Sequence, residues 1–191
     1  MSVQQVHATL ERLSNLLRVE AREQGAHEGL LPVQLEALHY LFQCNRYSDT
    51  VQGVSEYLGQ TKGTVSQTLK VLQSRELLEK KPDMKDRRLV HLKITRKGRR
   101  LLTNVVPARF LVEALDGKQT GEVDQLADLL RSLLRDAQAA RQMKTFGACK
   151  TCRFNESAGS GYRCGLTGES LSKPDTERIC REHQYPIACE G

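Results

Sequence analysis

At 191 residues, 39% of them hydrophobic, and with a net charge of +6, the chain is long enough for one good core and a small appendage. No apolar run approaches the ~20 residues of a membrane span, and the opening MSVQQVHATLERL lacks the basic, apolar, small-residue order of a signal peptide. A cytoplasmic protein without membrane association is expected, and in that compartment the six cysteines read as metal ligands or redox groups rather than structural disulfides.

Residues 3 to 23 carry Val3, Val6, Leu10, Leu13, Leu16, Leu17 and Val19 at mostly three- and four-residue steps, the stripe of an amphipathic helix that needs a partner. Residues 1–31 are assigned to a dimerisation helix. Pro32 opens a second helix, where a first-turn proline is tolerated, with Leu35, Leu38, Leu41 and Phe42 turned inward. Cys44 follows in the same apolar context and reads as a small buried hydrophobe.

In TVQGVSEYLGQTKGTVSQTLKVLQSRELLEK, Val51, Val54 and Leu58 share one face of a short helix that Gly59 ends. Thr61 caps the next helix, whose Val65, Leu69 and Leu72 form a buried stripe. Two short helices about a tight glycine-containing turn make a helix-turn-helix. The opposite face of the second helix presents Gly63, Gln67 and Lys70, flanked by Lys62, Thr64 and Ser66, without an acid. It reads as a recognition face.

Downstream, Leu89, His91 and Lys93 alternate with Val90, Leu92 and Ile94, the period of a half-buried strand. Pro82, Asp83 and Asp86 supply the turn of a hairpin with Lys85, Arg87 and Arg88 near its tip. Asp83 or Asp86 is expected to pair with Arg88 and hold that turn. Between residues 62 and 100 thirteen Lys or Arg stand against four acids, a balance of +9 that leaves −3 for the rest of the chain. A basic segment on a mildly acidic body is the footprint of a nucleic-acid surface. One long helix is then expected from Thr95 to about Gly117, and another from Thr120 through Leu126, Leu129, Leu130, Leu133 and Leu134 to about Arg141. These helices offer more apolar face than a winged domain covers, which points to a dimer seam.

The run from Pro32 to Leu102 resembles the MarR family (multiple antibiotic resistance regulators). The wing PDMKDRRLVHLKITRKGRRL matches that family's pattern at Asp83, Asp86, Arg88 and the ITRKG entry to the next helix. Lys85 stands where an arginine is commoner, which keeps the charge and loses the planar fork. The resemblance spans roughly residues 3 to 141. It implies a homodimer that places two recognition helices in successive major grooves of a pseudo-palindromic double-stranded operator. Base readout then falls to Lys62, Ser66, Gln67 and Lys70, supported by Thr61 and Thr64, with Lys85, Arg87 and Arg88 as anchors.

Residues 142 to 191 are too poor in large apolar side chains for a core of their own and need a staple. Cys149, Cys152, Cys164 and Cys180, spaced C-x2-C-x11-C-x15-C, suffice for a closed zinc site or one cubane cluster. A lone C-x2-C followed by two isolated cysteines resembles, in spacing alone, high-potential-type [4Fe-4S] modules, so an iron–sulfur cluster is expected. Zinc is the alternative, with His183 as a possible nitrogen donor, and a metal-free thiol switch comes third. Phe154, Tyr162 and Ile179 are candidates to shield the centre, and Arg153, Arg163, Arg178 and Arg181 to stabilise thiolate charge. Cys189 is read as a spectator near the terminus.

The expected fold is mainly α with a small β-wing. A winged helix-turn-helix over 32–102 is flanked by dimerisation helices, the C-terminal pair within 103–145, and followed by a small irregular metal module over 146–191. The expected function is a transcription regulator, a repressor, whose operator binding follows the redox, oxygen or iron state of the cysteine centre. Its rivals are a regulator with structural zinc and a small-molecule pocket, and an iron–sulfur electron carrier or enzyme. No phosphate loop and no nucleophile–base pair support catalysis.

Overall fold

The computed structural model describes residues 2–84, 86–159 and 161–186; Lys85 and Cys189 lie outside the described residues. α1 (Val3–His27) begins at Ser2, whose side chain forms a capping box with Gln5. α2 (Pro32–Gln43) starts on its proline. α3 (Val51–Leu58) is capped by Thr50 and closed by Gly59 at φ 63°, the left-handed conformation that glycine adopts without strain. α4 (Lys62–Ser74) is capped by Thr61, whose Oγ1 accepts from the Thr64 amide at 3.2 Å.

β1 (Leu78–Pro82) and β2 (Val90–Ile94) pair antiparallel, Leu78 opposite Ile94 and Pro82 opposite Val90. The core lies between α2, α4, the hairpin base and α5 (Arg96–Val105). Leu38, Val54, Val65, Leu69, Leu72, Leu92 and Leu102 are buried in it. The alternation in the strand and the i, i+4, i+7 stripe in α4 therefore both end on the same core.

The expected single helix from Thr95 to Gly117 is two, α5 and then α6 (Arg109–Leu115). Pro107 lacks the amide that would continue the ladder and pushes its predecessor out of helical space. Val106 accordingly sits at φ −128°, ψ 130°. α7 (Thr120–Ala140) follows. Val6, Leu10, Leu13 and Leu17 of α1 and Leu126, Leu129, Leu130, Leu133 and Leu134 of α7 are exposed in the single chain. Among the described residues no helix is long and apolar enough to cross a membrane.

The C-terminal segment is not irregular. β3 (Asn155–Ala158), β4 (Gly161–Cys164) and β5 (Ser170–Leu171) form an antiparallel sheet in the order β3-β4-β5, followed by the short α8 (Lys173–Thr176). Where its composition pointed to a staple, the structure shows the module borrowing a core as well. Phe146 and Ile179 pack against the winged-helix interior. Phe146 meets Tyr40 and Tyr57 edge-on at centroid distances of 6.0 and 5.3 Å. Backbone bonds tie the two parts together, Ile179 donating to the Gln43 carbonyl and Asn45 to that of Ile179.

Candidate nucleic-acid interface and cysteine centre

α4 buries Val65, Leu69 and Leu72, so its other face is set by helical period alone. Thr61, Lys62, Thr64, Gln67 and Lys70 are exposed on it and Ser66 is half-buried. Thr68, on the inner side, is buried and donates to the Thr64 carbonyl at 3.1 Å. At the wing tip Arg87 and Arg88 are exposed. Arg88 donates from Nε and Nη2 to the two oxygens of Asp86 at 3.0 and 3.1 Å, the expected turn-holding pair. Its side chain is 92% exposed, so the pair is weak and open to exchange for a phosphate.

Sequence reasoning missed the device that fixes the wing. Asp49, only 4% exposed, precedes the cap of α3. Its carboxylate takes His91 Nδ1 on one oxygen and Lys93 Nζ on the other, each at 2.5 Å, while His91 Nε2 meets Asp83 at 3.0 Å. Burial opposes charging of His91, but the bonds to Asp49 and Asp83 outweigh it and raise its pKa above 6.5. The Leu92 amide adds a bond to the Asp49 carbonyl at 2.7 Å. Wing and helix-turn-helix are thereby one unit. In the sequence, the one signal was an aspartate beside a helix cap, which reads as a turn residue.

The four predicted ligands come together. Cys149 opens a 3-10 turn (Cys149–Thr151), Cys152 closes it, Cys164 ends β4, and Cys180 follows the strand-like contact of Ile179. All four thiols are free and line one cavity. Burial pushes the Cys149 thiol up to about 11, with Cys180, Cys152 and Cys164 adding to the shift. Burial also raises Cys180, against hydrogen bonding from Asn45. The Gln184 amide points at Cys152 Sγ at 3.5 Å, the kind of N–H donor that steadies a ligand sulfur.

Phe154, Leu166 and Leu171 supply the apolar wall, and Asn45 and Tyr47, from the winged-helix domain, complete it. Of the expected shields only Phe154 lines the cavity. Tyr162 does not, and Ile179 is drawn to the larger apolar surface of the main core.

His183 is not placed as a ligand. It is buried, with Nδ1 against Thr145 Oγ1 at 2.6 Å and Nε2 against Thr151 Oγ1 at 2.9 Å, so both nitrogens are engaged. The four arginines likewise find other partners. Arg153 lies over the Phe154 ring, Arg163 pairs with Glu156, Arg178 donates to the carbonyls of Phe42 and Cys44, and Arg181 grips Glu56. Cys44 is buried as expected, and burial, followed by nearby Asp49, pushes its thiol up to about 12. Among the described residues no group of three or more His, Cys, Asp or Glu is placed to hold a metal ion.

Residues 28–89 match the sequence model of the MarR family. No curated protein matches the chain. Among solved structures, the transcriptional regulator Tm0710 from Thermotoga maritima is 25% identical at a TM-score of 0.52, over 72% of this chain and 96% of its own. A MarR family protein from Bacillus stearothermophilus is 20% identical at a TM-score of 0.59, over 71% of this chain and 95% of its own. A mutant of S. aureus MepR bound to an oligodeoxyribonucleotide is 20% identical at a TM-score of 0.50, over 70% of this chain and 98% of its own. The chain thus has the winged-helix fold of MarR proteins, and residues 28–89 are the part whose sequence matches that family.

Proposed function

We propose that the chain is a homodimeric, DNA-binding transcription regulator, acting as a repressor, whose operator binding is modulated by a metal centre on Cys149, Cys152, Cys164 and Cys180. The observation that carries the reading is the shared cavity: four free thiols face a space whose wall includes Asn45 and Tyr47 of the DNA-reading domain.

In this mechanism the acid-free face of α4 enters the major groove. Gln67, with its amide, and Lys62, Ser66 and Lys70 read base edges, while Arg87 and Arg88 fix the wing on the flanking backbone. The S. aureus MepR mutant with bound oligodeoxyribonucleotide is similar in fold. The exposed leucine faces of α1 and α7 supply the dimer seam that sets the spacing of two reading helices.

For the centre, the lone C-x2-C followed by two isolated cysteines favours an iron–sulfur cluster over zinc, by spacing alone. With His183 engaged elsewhere, the donor set is all sulfur, as cubane clusters use. When bound, the group supplies electron-transfer or oxygen-labile chemistry. The chain's own residues hold it by four thiolates, exclude water with Phe154, Leu166 and Leu171, and support Cys152 by the Gln184 amide.

A second reading rests on the cleft between α1, α2 and α5, lined by Leu17, Leu35 and Val105 beside Glu36 and His39. It makes that cleft the sensor for a small organic ligand and the cysteine module a staple. The test is anaerobic purification with iron, sulfide and zinc analysis, followed by binding to a duplex that the protein selects from a random pool. Iron and sulfide together, and an affinity that changes by about 5- to 150-fold when the metal is removed, support the sensor. One zinc per chain with an unchanged affinity supports the staple.

A further inference from the structure

We infer that Arg181 is the positioning residue through which the cysteine centre sets the placement of the helix-turn-helix. The inference rests on the regulator reading above and names the route of its coupling. Arg181 follows the ligand Cys180 directly, and its side chain is spread between the cavity and the DNA-reading unit. Nε and Nη2 donate to the two oxygens of Glu56 on α3 at 2.6 and 2.9 Å. Nη1 donates to Glu182, whose side chain lines the cysteine cavity, at 2.7 Å.

The Arg181 amide also donates to Ser48 Oγ at 2.8 Å, and Ser48 Oγ donates to Asn45 Oδ1, another wall residue, at 2.7 Å. Two arms therefore leave the cavity and meet on residues 48–56. One runs through charged side chains and the other through the backbone beside Cys180.

Residues 48–56 touch both parts that face DNA in the proposed function. α3 packs on α4, and Asp49 anchors the wing through His91 and Lys93. A guanidinium clamped bidentately on a carboxylate transmits position better than a lysine point contact, because its fork fixes angle as well as distance. Lys144 also reaches Glu56, at 2.9 Å, and Glu182, at 3.9 Å, but as a point charge without the fork, from the linker before the module, and it does not adjoin a cysteine. It provides the internal control. A displacement of Cys180 between filled and emptied cavity is thus handed to α3, and the two states acquire the differential DNA affinity that coupling requires.

The experiment uses the full-length dimer, as isolated anaerobically and after metal removal by chelation, with the selected duplex as probe. In the wild type the two forms differ in affinity by about 5- to 150-fold. Arg181→Gln and, separately, Glu56→Gln bring that ratio to within about twofold of unity, while iron and sulfide content stay at wild-type levels. Arg181→Lys gives an intermediate ratio, and Lys144→Gln leaves it unchanged. Amide exchange over residues 48–58 responds to metal removal in the wild type and not in Arg181→Gln. Glu56→Gln leaves the module's own residues intact, so it decides the matter if Arg181→Gln loses metal. A wild-type ratio well above unity that survives in Glu56→Gln overturns the Arg181 route alone. A wild-type ratio of unity overturns the sensor reading and the route with it.

Discussion

Replacing Asp49 by alanine tests whether the wing is held by one buried carboxylate. The substitution removes a group 4% exposed that takes both His91 Nδ1 and Lys93 Nζ at 2.5 Å. The His91 side chain is 16% exposed, so its charged bond counts nearly in full, about 1.5 to 3 kcal/mol. Lys93, 41% exposed, regains water when released, and its bond is screened to about 0 to 1 kcal/mol. His91 keeps Asp83 through Nε2. The expected loss is therefore about 1.5 to 4 kcal/mol, read by urea unfolding of the protein at pH 6 and fixed protein concentration.

The same clamp predicts a pH dependence. The folded-state pKa of His91 is raised above 6.5, so its contribution is present in full below that value and is lost as pH rises through the folded pKa. Wild-type stability should decline as pH rises above 6.5, and Asp49→Ala should flatten that slope by removing one of the two carboxylates. A loss under about 0.5 kcal/mol, the range of ordinary surface changes, or an unaltered slope would refute the clamp.

Gln67→Ala should weaken the selected operator by about 1 to 3 kcal/mol and random DNA hardly at all. Arg88→Ala should weaken both alike and reduce the salt dependence by about one unit; equal losses from both variants on both DNAs would remove the division between reading and anchoring. Leu129→Asp combined with Leu133→Asp places charge on the exposed apolar face of α7. Sedimentation should then report monomers, and an intact dimer would place the seam elsewhere. His183→Ala removes a buried ring that contacts Thr145 and Thr151, whose hydroxyls keep their bonds to the carbonyls of His183 and Ala148, and should cost about 0.5 to 3 kcal/mol of stability with metal content unchanged. Stoichiometric loss of metal would make His183 a ligand after all.

Features that depend on near neighbours along the chain were legible in the sequence. The cap at Thr61, the helix stop at Gly59, the Val65, Leu69, Leu72 stripe and the strand over Val90–Ile94 all follow from helical and strand periods and local hydrogen bonding. The break before α6 was equally available from Pro107, and the apolar run on both sides concealed it. The spacing of Cys149, Cys152, Cys164 and Cys180 marked them as a set, and the structure gathers them around one cavity.

Tertiary structure alone decided where that set sits. Asn45 and Tyr47 precede the nearest cysteine of the cluster by about a hundred residues, yet wall its cavity, because a module without a core must dock on the apolar surface around Tyr40 and Tyr57. Asp49, His91 and Asp83 are likewise ordinary in the chain, and become a clamp only when folding takes a carboxylate out of water and obliges it to find charged partners.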